Sequence, residues 1–211
     1  MSDPDRKQRL LQELERQGIR DARVLAAMAE VPRETFVEPT FQAQAWDNIA
    51  LPINRGQTIS QPYVVAFMTE ALELGETMRV MEVGTGSGYQ AAVLSRLCRR
   101  VYTMERHRPL LRKAEGRFAV LGYRNITTRF ADGTKGWSEA APFDRILVTA
   151  AAESAHEDLC AQLHDGGVMV IPVGPRGAQQ VVRLRRRGEE ILRENLLPVR
   201  FVPMLPGLAP D

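Results

Sequence analysis

Short, mostly apolar segments alternate with helix-like segments from residue 62 to residue 174, and this alternation constrains the fold more than any other feature. The strand-like segments include RVMEV (79–83) and GGVMVIPVG (166–174), which lack the polar alternation of a half-exposed strand. Strands of this kind are typical of parallel sheets that helices cover on both faces. The sequence therefore predicts an α/β fold with a doubly wound, mostly parallel sheet.

Two N-terminal helices are expected before this region, and a β-hairpin is expected after it. Leucines recur at helical spacing near the start of the chain, and Asp21 is placed to cap a second helix over 21–31. Residues 180–195 predict a hairpin that turns near Gly188 and adds antiparallel C-terminal strands at one sheet edge. In between, the predicted strands are 79–83, 101–105, 126–132, 145–151 and 166–174, and the predicted helices are 62–74, 88–98, 109–122 and 154–163.

The length of 211 residues fits one domain with short appendages. We expect a single domain over 1–211, in which residues 1–61 carry the N-terminal helices and an active-site loop. The α/β core would then occupy 62–174, and the antiparallel strands 175–211. The irregular stretch from residue 32 to residue 61 is long for a connection inside a compact domain, and such loops are commonly functional.

Composition and charge argue against several classes of protein. The chain is 44% hydrophobic and 26% charged, and its net charge of +2 gives no support to nucleic-acid binding. The basic run RLRRRG (183–188) lies among alternating apolar residues, which favours a solvated strand edge over a phosphate-binding patch. No apolar run approaches the roughly 20 residues of a membrane helix. We expect neither a nucleic-acid partner nor a membrane partner.

The cysteines and histidines indicate a reduced protein without a bound metal. Cys98 and Cys160 lie in helix-like segments and do not suggest a disulfide framework. The three histidines and two cysteines lack the spacing of metal ligands. The first residues, MSDPDRKQRL, are charged and do not look like a signal peptide. The expectation is a cytoplasmic protein.

A glycine-rich loop, VMEVGTGSGYQ (80–90), is the strongest local signal. Gly84, Gly86 and Gly88 follow a strand that ends near Glu82, and they precede a helix. Such glycines let the backbone approach a ligand at the carboxyl end of a parallel strand. The spacing differs from that of a dinucleotide-binding loop, and no lysine follows as in a P-loop. Glu82 would repel a pyrophosphate and suits a cationic ligand or hydroxyl groups.

Two further carboxylates close the next two predicted strands. Glu105 ends VYTME (101–105), where it can accept hydrogen bonds from both hydroxyls of a ribose. Asp132 ends the third strand, where it can reach an adenine amino group. Each carboxylate taken alone is more often a loop or capping residue. Together with the glycine loop they favour S-adenosylmethionine as the cofactor, and hence a class I, Rossmann-like methyltransferase.

A series of motifs resembles the bacterial protein-L-isoaspartate O-methyltransferase family. In chain order they are WDNIALPI, GQTISQPY, MEVGTGSGYQAAVL, APFDRILVTAA, GGVMVIPVG and PVRFVP. The resemblance implies a monomeric, cytoplasmic enzyme that converts S-adenosyl-L-methionine to S-adenosyl-L-homocysteine. The implied methyl acceptor is the free α-carboxylate of L-isoaspartyl residues in damaged proteins and peptides, with D-aspartyl residues as a second candidate. The methyl ester would close to a succinimide, whose hydrolysis restores some normal aspartate.

The resemblance also implies roles for individual residues. Ser60, in the TIS motif, is the implied catalytic residue. Arg200, in PVRFVP, is a candidate anchor for the substrate carboxylate, and Trp46 is a candidate cover of the peptide site. An arginine on a strand surface and a buried aromatic that ties down the loop are the respective alternatives. The implied cofactor-binding residues are Thr58, Ile59, Glu82, Gly84, Gly86, Gly88, Glu105, Asp132, Gly133 and Gln180.

The chemistry predicts what Ser60 does. The substrate α-carboxylate, with a reference pKa of roughly 3.5, is already ionised at neutral pH and needs positioning more than a base. A neutral hydroxyl can hold one carboxylate oxygen while the other attacks the methyl group. Ser60 also stands just before Pro62 and the apolar run VVAFM, so we expect it to cap the start of that helix as well.

Three departures from the family pattern leave a paralogue with a changed substrate as an alternative. Asn54 stands where a glycine is usual and is followed by Arg55, Ala131 replaces another glycine, and Glu153 and Ser154 replace prolines. A non-catalytic S-adenosylmethionine-binding module is a second alternative, which the intact TIS motif disfavours. An amino-group methyltransferase is a third, and the strand ending VTAAAE lacks the Asp/Asn-Pro-Pro-aromatic tetrad common in nucleic-acid members of that class.

Overall fold

The structure, a computed structural model, describes residues 3–154 and 156–210. Within these ranges the α-helices are α1 (Asp3–Arg16), α2 (Ala22–Glu30), α3 (Pro62–Ala71), α4 (Tyr89–Ser95), α5 (Arg108–Val120) and α6 (Glu157–Ala161). The strands are β1 (Leu51–Pro52), β2 (Thr58–Ile59), β3 (Arg79–Val83), β4 (Arg100–Glu105), β5 (Ile126–Phe130), β6 (Phe143–Val148), β7 (Leu163–Val173), β8 (Gln179–Arg187) and β9 (Glu190–Val199).

A seven-stranded sheet in the order β5-β4-β3-β6-β7-β8-β9 forms the centre of the molecule. The first five strands in this order, from β5 to β7, run parallel to one another. β8 and β9 are antiparallel and extend the sheet at one edge. The chain runs outward in one direction from β3 to β5 and then returns to the other side of β3, which creates a crevice at the carboxyl ends of the strands. The predicted doubly wound sheet with antiparallel C-terminal strands is confirmed.

The two faces of the sheet carry separate apolar cores. Neighbouring residues of β3 point to opposite faces, so Val80 belongs to the larger cluster and Met81 to the smaller one. Helices α1 to α5 pack on the larger cluster, whereas α6 and the turns before β6 cover the smaller one. Burial on both faces explains why the strands lack polar alternation.

Most predicted elements are present, with shifts at their ends. The side chain of Asp21 accepts a hydrogen bond from the N–H of Arg23 and caps α2 as expected. Strand β5 stops at Phe130, before the predicted end at residue 132, because Asp132 caps a 3-10 turn instead. The helix predicted over 154–163 is confined to α6, and residue 155 lies outside the described residues.

The irregular segment before α3 contains a small hairpin that was not expected. Leu51 pairs with Ile59, and both side chains are buried. Arg55, at the tip, has a φ of +62°, in the left-handed region that favours glycine. We refer to residues 46–59 as the 46–59 loop. Its hairpin brings the loop back to Ser60 at the edge of the crevice.

Candidate active site

A cavity of about 760 Å³ lies at the carboxyl ends of the parallel strands. This is the position where open α/β sheets bind their ligands. Thr58 and Ser60 of the TIS motif and the C-terminal segment 198–205 line part of the cavity. The strand ends contribute Val83, Gly84, Gly86, Met104, Glu105, Ala131, Gly133, Thr149 and Ala150.

The glycine loop brings bare backbone to the cavity. Gly84 and Gly86 have φ angles of +100° and +52°, which favour glycine. A Cβ on Gly84 would lie 2.3 Å from Oγ1 of Thr149, so no larger residue fits there. Gly88 has a φ of +91° but does not line the cavity, and a Cβ on it would meet the ring of Phe118 at 2.8 Å. Gly88 therefore allows close packing of α4, whereas the first two glycines shape the site.

Glu105 lies at the end of β4, on the cavity wall, and is largely buried. Its Oε2 accepts a hydrogen bond from the N–H of Gly86 at 2.8 Å, and its Oε1 accepts one from the N–H of His107 at 2.9 Å. Each carboxylate oxygen can accept a further bond. The arrangement therefore fits an acid that binds two neighbouring hydroxyls.

Asp132 uses its carboxylate inside the protein. Oδ1 accepts hydrogen bonds from the N–H and the hydroxyl of Thr134, and Oδ2 accepts one from the N–H of Gly207 at 2.7 Å. Asp132 does not line the cavity, whereas Gly133 does. A Cβ on Gly133 would lie 2.3 Å from Cγ1 of Val83, so no larger residue fits at this position either. An adenine contact by Asp132 remains a prediction, and the loop-capping alternative is what the structure shows directly.

Glu82 lies below the glycine loop and is fully buried. Its Oε2 accepts a hydrogen bond from the hydroxyl of Thr103, whose oxygen is also 2.6 Å from that of Thr85. Among the described residues, its Oε1 has no partner. Burial raises the pKa of Glu82 to about 8. Glu82 does not line the cavity, so the structure places it as a support beneath the loop.

The TIS motif contributes two residues to the cavity lining. Thr58 and Ser60 line the cavity, whereas Ile59 between them is buried in the core. Ser60 is half-buried, and its hydroxyl makes no hydrogen bond to any residue that the structure describes. The Ser60 hydroxyl is therefore available to a ligand in the cavity.

The helix cap expected from Ser60 is not formed, and that prediction is wrong. Helix α3 begins at Pro62, and Gln61 before it provides no side-chain cap. The side-chain oxygen of Asn48 instead accepts a hydrogen bond from the N–H of Tyr63 at 3.0 Å. An orphan donor of the first helical turn is thus satisfied from the 46–59 loop. Capping is done elsewhere, which leaves the Ser60 hydroxyl free.

A buried arginine that the sequence did not single out holds the base of the 46–59 loop. Arg33 is 0% exposed. Its Nε donates to the carbonyl of Ala45 and its Nη2 to the carbonyl of Ser60, both at 2.8 Å. Its guanidinium lies 4.7 Å from the centre of the Tyr89 ring. A single arginine after a proline carries no sequence signal of such a role.

The two candidate substrate residues occupy different environments. Arg200 is exposed and lines the cavity. Trp46 is buried, with Nζ of Lys7 5.4 Å from the centre of its ring, and it does not line the cavity. The structure therefore brings Arg200 to the site and favours the alternative role of Trp46, which ties the loop to the core.

Gln180 is exposed on β8 and does not line the cavity, whereas its neighbour Gln179 supports the cavity wall. The N–H of Phe201 donates to Oε1 of Gln179 at 2.6 Å, and Nε2 of Gln179 donates to the carbonyl of Phe201 at 3.2 Å. Gln179 thus fixes the backbone next to Arg200. Sequence reasoning missed it because two adjacent glutamines on one strand differ only in which face they occupy.

The basic run of residues 183–187 lies on β8. Arg183 and Arg185 form ion pairs with Glu73 at 2.9 Å and 2.8 Å, and Arg186 donates to the carbonyl of Leu163. Ion pairs thus cover part of this basic surface, and because β8 lies between β7 and β9 it is not the strand edge that the sequence suggested. Across 3–154 and 156–210, no group of three or more His, Cys, Asp or Glu residues could hold a metal, and no helix is long and apolar enough to cross a membrane.

Relatives with known names match nearly the whole chain. A model of the family described as protein-L-isoaspartate(D-aspartate) O-methyltransferase matches residues 5–208. The protein-L-isoaspartate O-methyltransferase of Rhodospirillum centenum is 60% identical over 213 aligned positions, which cover 100% of this chain and 96% of that protein. The protein of the same name from Parvibaculum lavamentivorans is 58% identical over 205 positions, which cover 96% and 92%.

Solved structures share the fold. A protein-L-isoaspartate O-methyltransferase aligns with a TM-score of 0.86 at 28% identity, over 96% of this chain and 67% of that one. A Plasmodium falciparum protein, described as a putative member in complex with S-adenosyl-L-homocysteine, aligns with a TM-score of 0.80 at 23% identity, over 93% and 96%. The chain therefore belongs to the protein-L-isoaspartate(D-aspartate) O-methyltransferase family.

Proposed function

We propose that this protein is a repair enzyme that methylates the free α-carboxylate of L-isoaspartyl residues in damaged proteins and peptides. The observation that carries the proposal is the free hydroxyl of Ser60 in a cavity that Gly84, Gly86 and Glu105 also line. One cavity thus combines a group that can hold a carboxylate with groups suited to an adenosine-type cofactor.

The residues present fit S-adenosylmethionine. Gly84, Gly86 and Gly133 leave room at the strand ends that a Cβ would reduce or fill, and Glu105 retains acceptor capacity for two ribose hydroxyls. When bound, the cofactor supplies an electrophilic methyl group on a positively charged sulfur. We propose that Thr58, which also lines the cavity, contacts the cofactor. The other implied residues would act indirectly, by supporting those that line the cavity: Glu82, Gly88, Ile59 and Asp132.

Ser60 orients the nucleophile. One oxygen of the ionised substrate carboxylate accepts a hydrogen bond from the Ser60 hydroxyl, and the other oxygen attacks the methyl carbon in line. The new O–C bond forms as the C–S bond breaks and its electron pair remains on sulfur, so no proton needs to move. A neutral donor suits this task, because a desolvated ion pair would hold the carboxylate more strongly and lower its nucleophilicity, an effect that solvent reduces for an exposed group such as Arg200.

Arg200 is placed to bind the substrate from the cavity rim. Its side chain is exposed and, within the described part of the chain, has no ion-pair partner. A flexible segment that contains an isoaspartyl residue can bind at the rim of the cavity, which the 46–59 loop and residues 198–205 form. D-aspartyl residues are a further candidate substrate of the same site.

Methyl transfer to matched peptides tests the proposal. With tritiated S-adenosylmethionine, we expect base-labile label in an isoaspartyl peptide and none in the same peptide with normal aspartate. Cofactor binding without any transfer would instead favour a non-catalytic module, and base-stable label would favour an amino-group methyltransferase.

Ser60→Ala tests the catalytic assignment. Loss of one hydrogen bond to a charged group costs about 1.5–3 kcal/mol, so kcat should fall roughly tenfold to a hundredfold. The Kd of S-adenosylhomocysteine should be unchanged. Ser138→Ala, an exposed serine on a turn away from the cavity, is the matched control. A Ser60→Ala protein with the kcat of the wild type would remove Ser60 from the mechanism.

We further propose that the enzyme acts as a cytoplasmic monomer without a nucleic-acid partner. Cys98 and Cys160 are unpaired, and burial raises the pKa of Cys98 to about 12, so its thiol is unreactive. Arg183 and Arg185 are ion-paired with Glu73, and the net charge of +2 gives no support to phosphate binding. Light scattering of the purified protein gives the oligomeric state.

A further inference from the structure

One buried guanidinium joins the two ends of the 46–59 loop. Arg33 donates to the carbonyl of Ala45, just before the loop, and to the carbonyl of Ser60, just after it. The hairpin between them is tied together by the Leu51–Ile59 pair. Arg33 therefore closes the base of the loop that ends in the proposed catalytic serine.

The charge of Arg33 has no packing explanation. A buried charge is unfavourable unless hydrogen bonds or an opposite charge compensate it. Burial lowers the pKa of Arg33, and the compensating groups are two carbonyls and the Tyr89 ring. An apolar side chain of similar volume would fill this position without the desolvation cost. Binding two carbonyls at once is what a planar guanidinium adds.

The same side chain also packs against the helix that follows the glycine loop. Tyr89 is the first residue of α4 and directly follows Gly88 of the glycine loop. Its ring is buried, and the Arg33 guanidinium lies over it. Arg33 thus contacts both the segment that carries Ser60 and the helix that begins at the glycine loop.

We infer that Arg33 is a positioning residue that sets the place of Ser60 relative to the glycine loop. It does not line the cavity and acts through the backbone of Ser60. The inference rests on the proposed function, because it assigns Arg33 to the geometry of that methyl transfer. We call the two Arg33 hydrogen bonds the clamp. Without the clamp, the Ser60 hydroxyl would spend less time at the distance from the substrate carboxylate that methyl transfer needs.

Arg33→Lys and Arg145→Lys form a matched pair of variants. Arg145 is also buried and donates to the carbonyls of Leu72 and Glu73, but it lies near the start of β6, at the far end from the cavity. A lysine keeps the charge and cannot span two carbonyls as a planar fork does. Both variants should lower the melting temperature.

Kinetics separate positioning from general destabilisation. We expect Arg33→Lys to lower kcat on an isoaspartyl peptide roughly tenfold to a hundredfold, as expected for a misplaced reacting group. The Kd of S-adenosylhomocysteine should stay within about twofold, and Arg145→Lys should retain the wild-type kcat. Equal kcat losses in the two variants, at a temperature where both are folded, would overturn the inference.

Hydrogen exchange tests the clamp without relying on activity. The N–H of Ile53 bonds to the carbonyl of Gln57 inside the loop, and it should exchange faster in Arg33→Lys but not in Arg145→Lys. If the wild type failed to methylate isoaspartyl peptides, the proposed function would fall, and the exchange data would still decide the clamp. Unchanged exchange in Arg33→Lys would overturn the clamp, and faster exchange with unchanged kcat would overturn the positioning role.

Arg33→Met provides a second variant for the same test if Arg33→Lys does not fold. Methionine removes the desolvation cost of the buried guanidinium, which offsets part of the cost of leaving the two carbonyls without their donor. Arg33→Met should show the same faster exchange at Ile53 and the same fall in kcat. A folded Arg33→Met protein with wild-type kcat would overturn the inference.

Discussion

The side-chain oxygen of Asn48 accepts a hydrogen bond from the backbone N–H of Tyr63 at 3.0 Å, so the 46–59 loop caps helix α3 from outside. The Nδ2 of Asn48 donates to Oε1 of Glu13 at 2.8 Å. One amide therefore joins α1, the loop and α3. The Arg33 bonds close the base of the same loop, so two long-range contacts hold the segment next to Ser60.

Asn48→Ala should lower the free energy of unfolding by about 1–2 kcal/mol, the range for removal of a helix cap. Urea unfolding followed by circular dichroism measures the loss. Asp21→Ala, which removes the local cap of α2, should cost a similar amount. Gln61→Ala should cost less than about 0.5 kcal/mol, because Gln61 makes no cap bond. A larger loss for Gln61→Ala than for Asn48→Ala would refute the distant cap.

The buried carboxyl of Glu82 should make stability depend on pH. Its pKa is raised from 4.5 to about 8, chiefly because burial disfavours the charged form. Between these values the folded protein keeps a proton that the unfolded chain has released, so stability should fall as pH rises from 5 to 8. Below pH 4.5 the carboxyl is protonated in both the folded and the unfolded state, so the stabilisation is fully present and no longer changes with pH.

Glu82→Gln removes the titration and keeps an acceptor for the Thr103 hydroxyl. We expect the free energy of unfolding of the wild type, relative to this variant, to fall by roughly a few kcal/mol between pH 5 and pH 8. Urea titrations of both proteins at four pH values measure the difference. A difference that is flat across this range would show that Glu82 does not titrate there.

Gly133 should owe its identity to the side chain of Val83. A Cβ at residue 133 would lie 2.3 Å from Cγ1 of Val83, and the φ of Gly133 is not in the left-handed region. Gly133→Ala should therefore cost about 1–3 kcal/mol of stability through overpacking. In a Val83→Ala background the same change should cost much less. An additive double-mutant cycle would disprove the steric explanation.

The sequence predicts the sheet, the helices and the cavity-lining glycines well, because these depend on local patterns. Apolar runs and glycine spacing carry their own periodicity, and the strand ends then meet at one edge by the geometry of a parallel sheet. The hairpin of the 46–59 loop has no comparable pattern, since its paired segments, Leu51–Pro52 and Thr58–Ile59, are only two residues long.

Side-chain partners over long range were not predictable. Nothing near Arg33 in the sequence indicates that it bonds to the Ser60 carbonyl, and nothing near Asn48 identifies the N–H of Tyr63. The placement of Asp132 shows the same limit, because nothing near Asp132 in the sequence indicates that its carboxylate accepts a bond from the N–H of Gly207. Local sequence predicts which groups need partners, and the fold decides which groups satisfy them.

Arg200→Gln should weaken binding of the substrate and leave the chemical step intact. The side chain is exposed on the cavity rim, so an ion pair with the substrate carboxylate is partly screened by solvent. Its loss should raise the KM for an isoaspartyl peptide roughly fivefold to tenfold, with kcat and the Kd of S-adenosylhomocysteine within about twofold.

Arg187→Gln, an exposed arginine on β8 that does not line the cavity, is the matched control. Added salt should raise the KM of the wild type more than that of Arg200→Gln, since only the wild type has the ion pair to screen. An unchanged KM in Arg200→Gln would leave Arg200 as an ordinary surface arginine and would assign carboxylate binding to Ser60 alone.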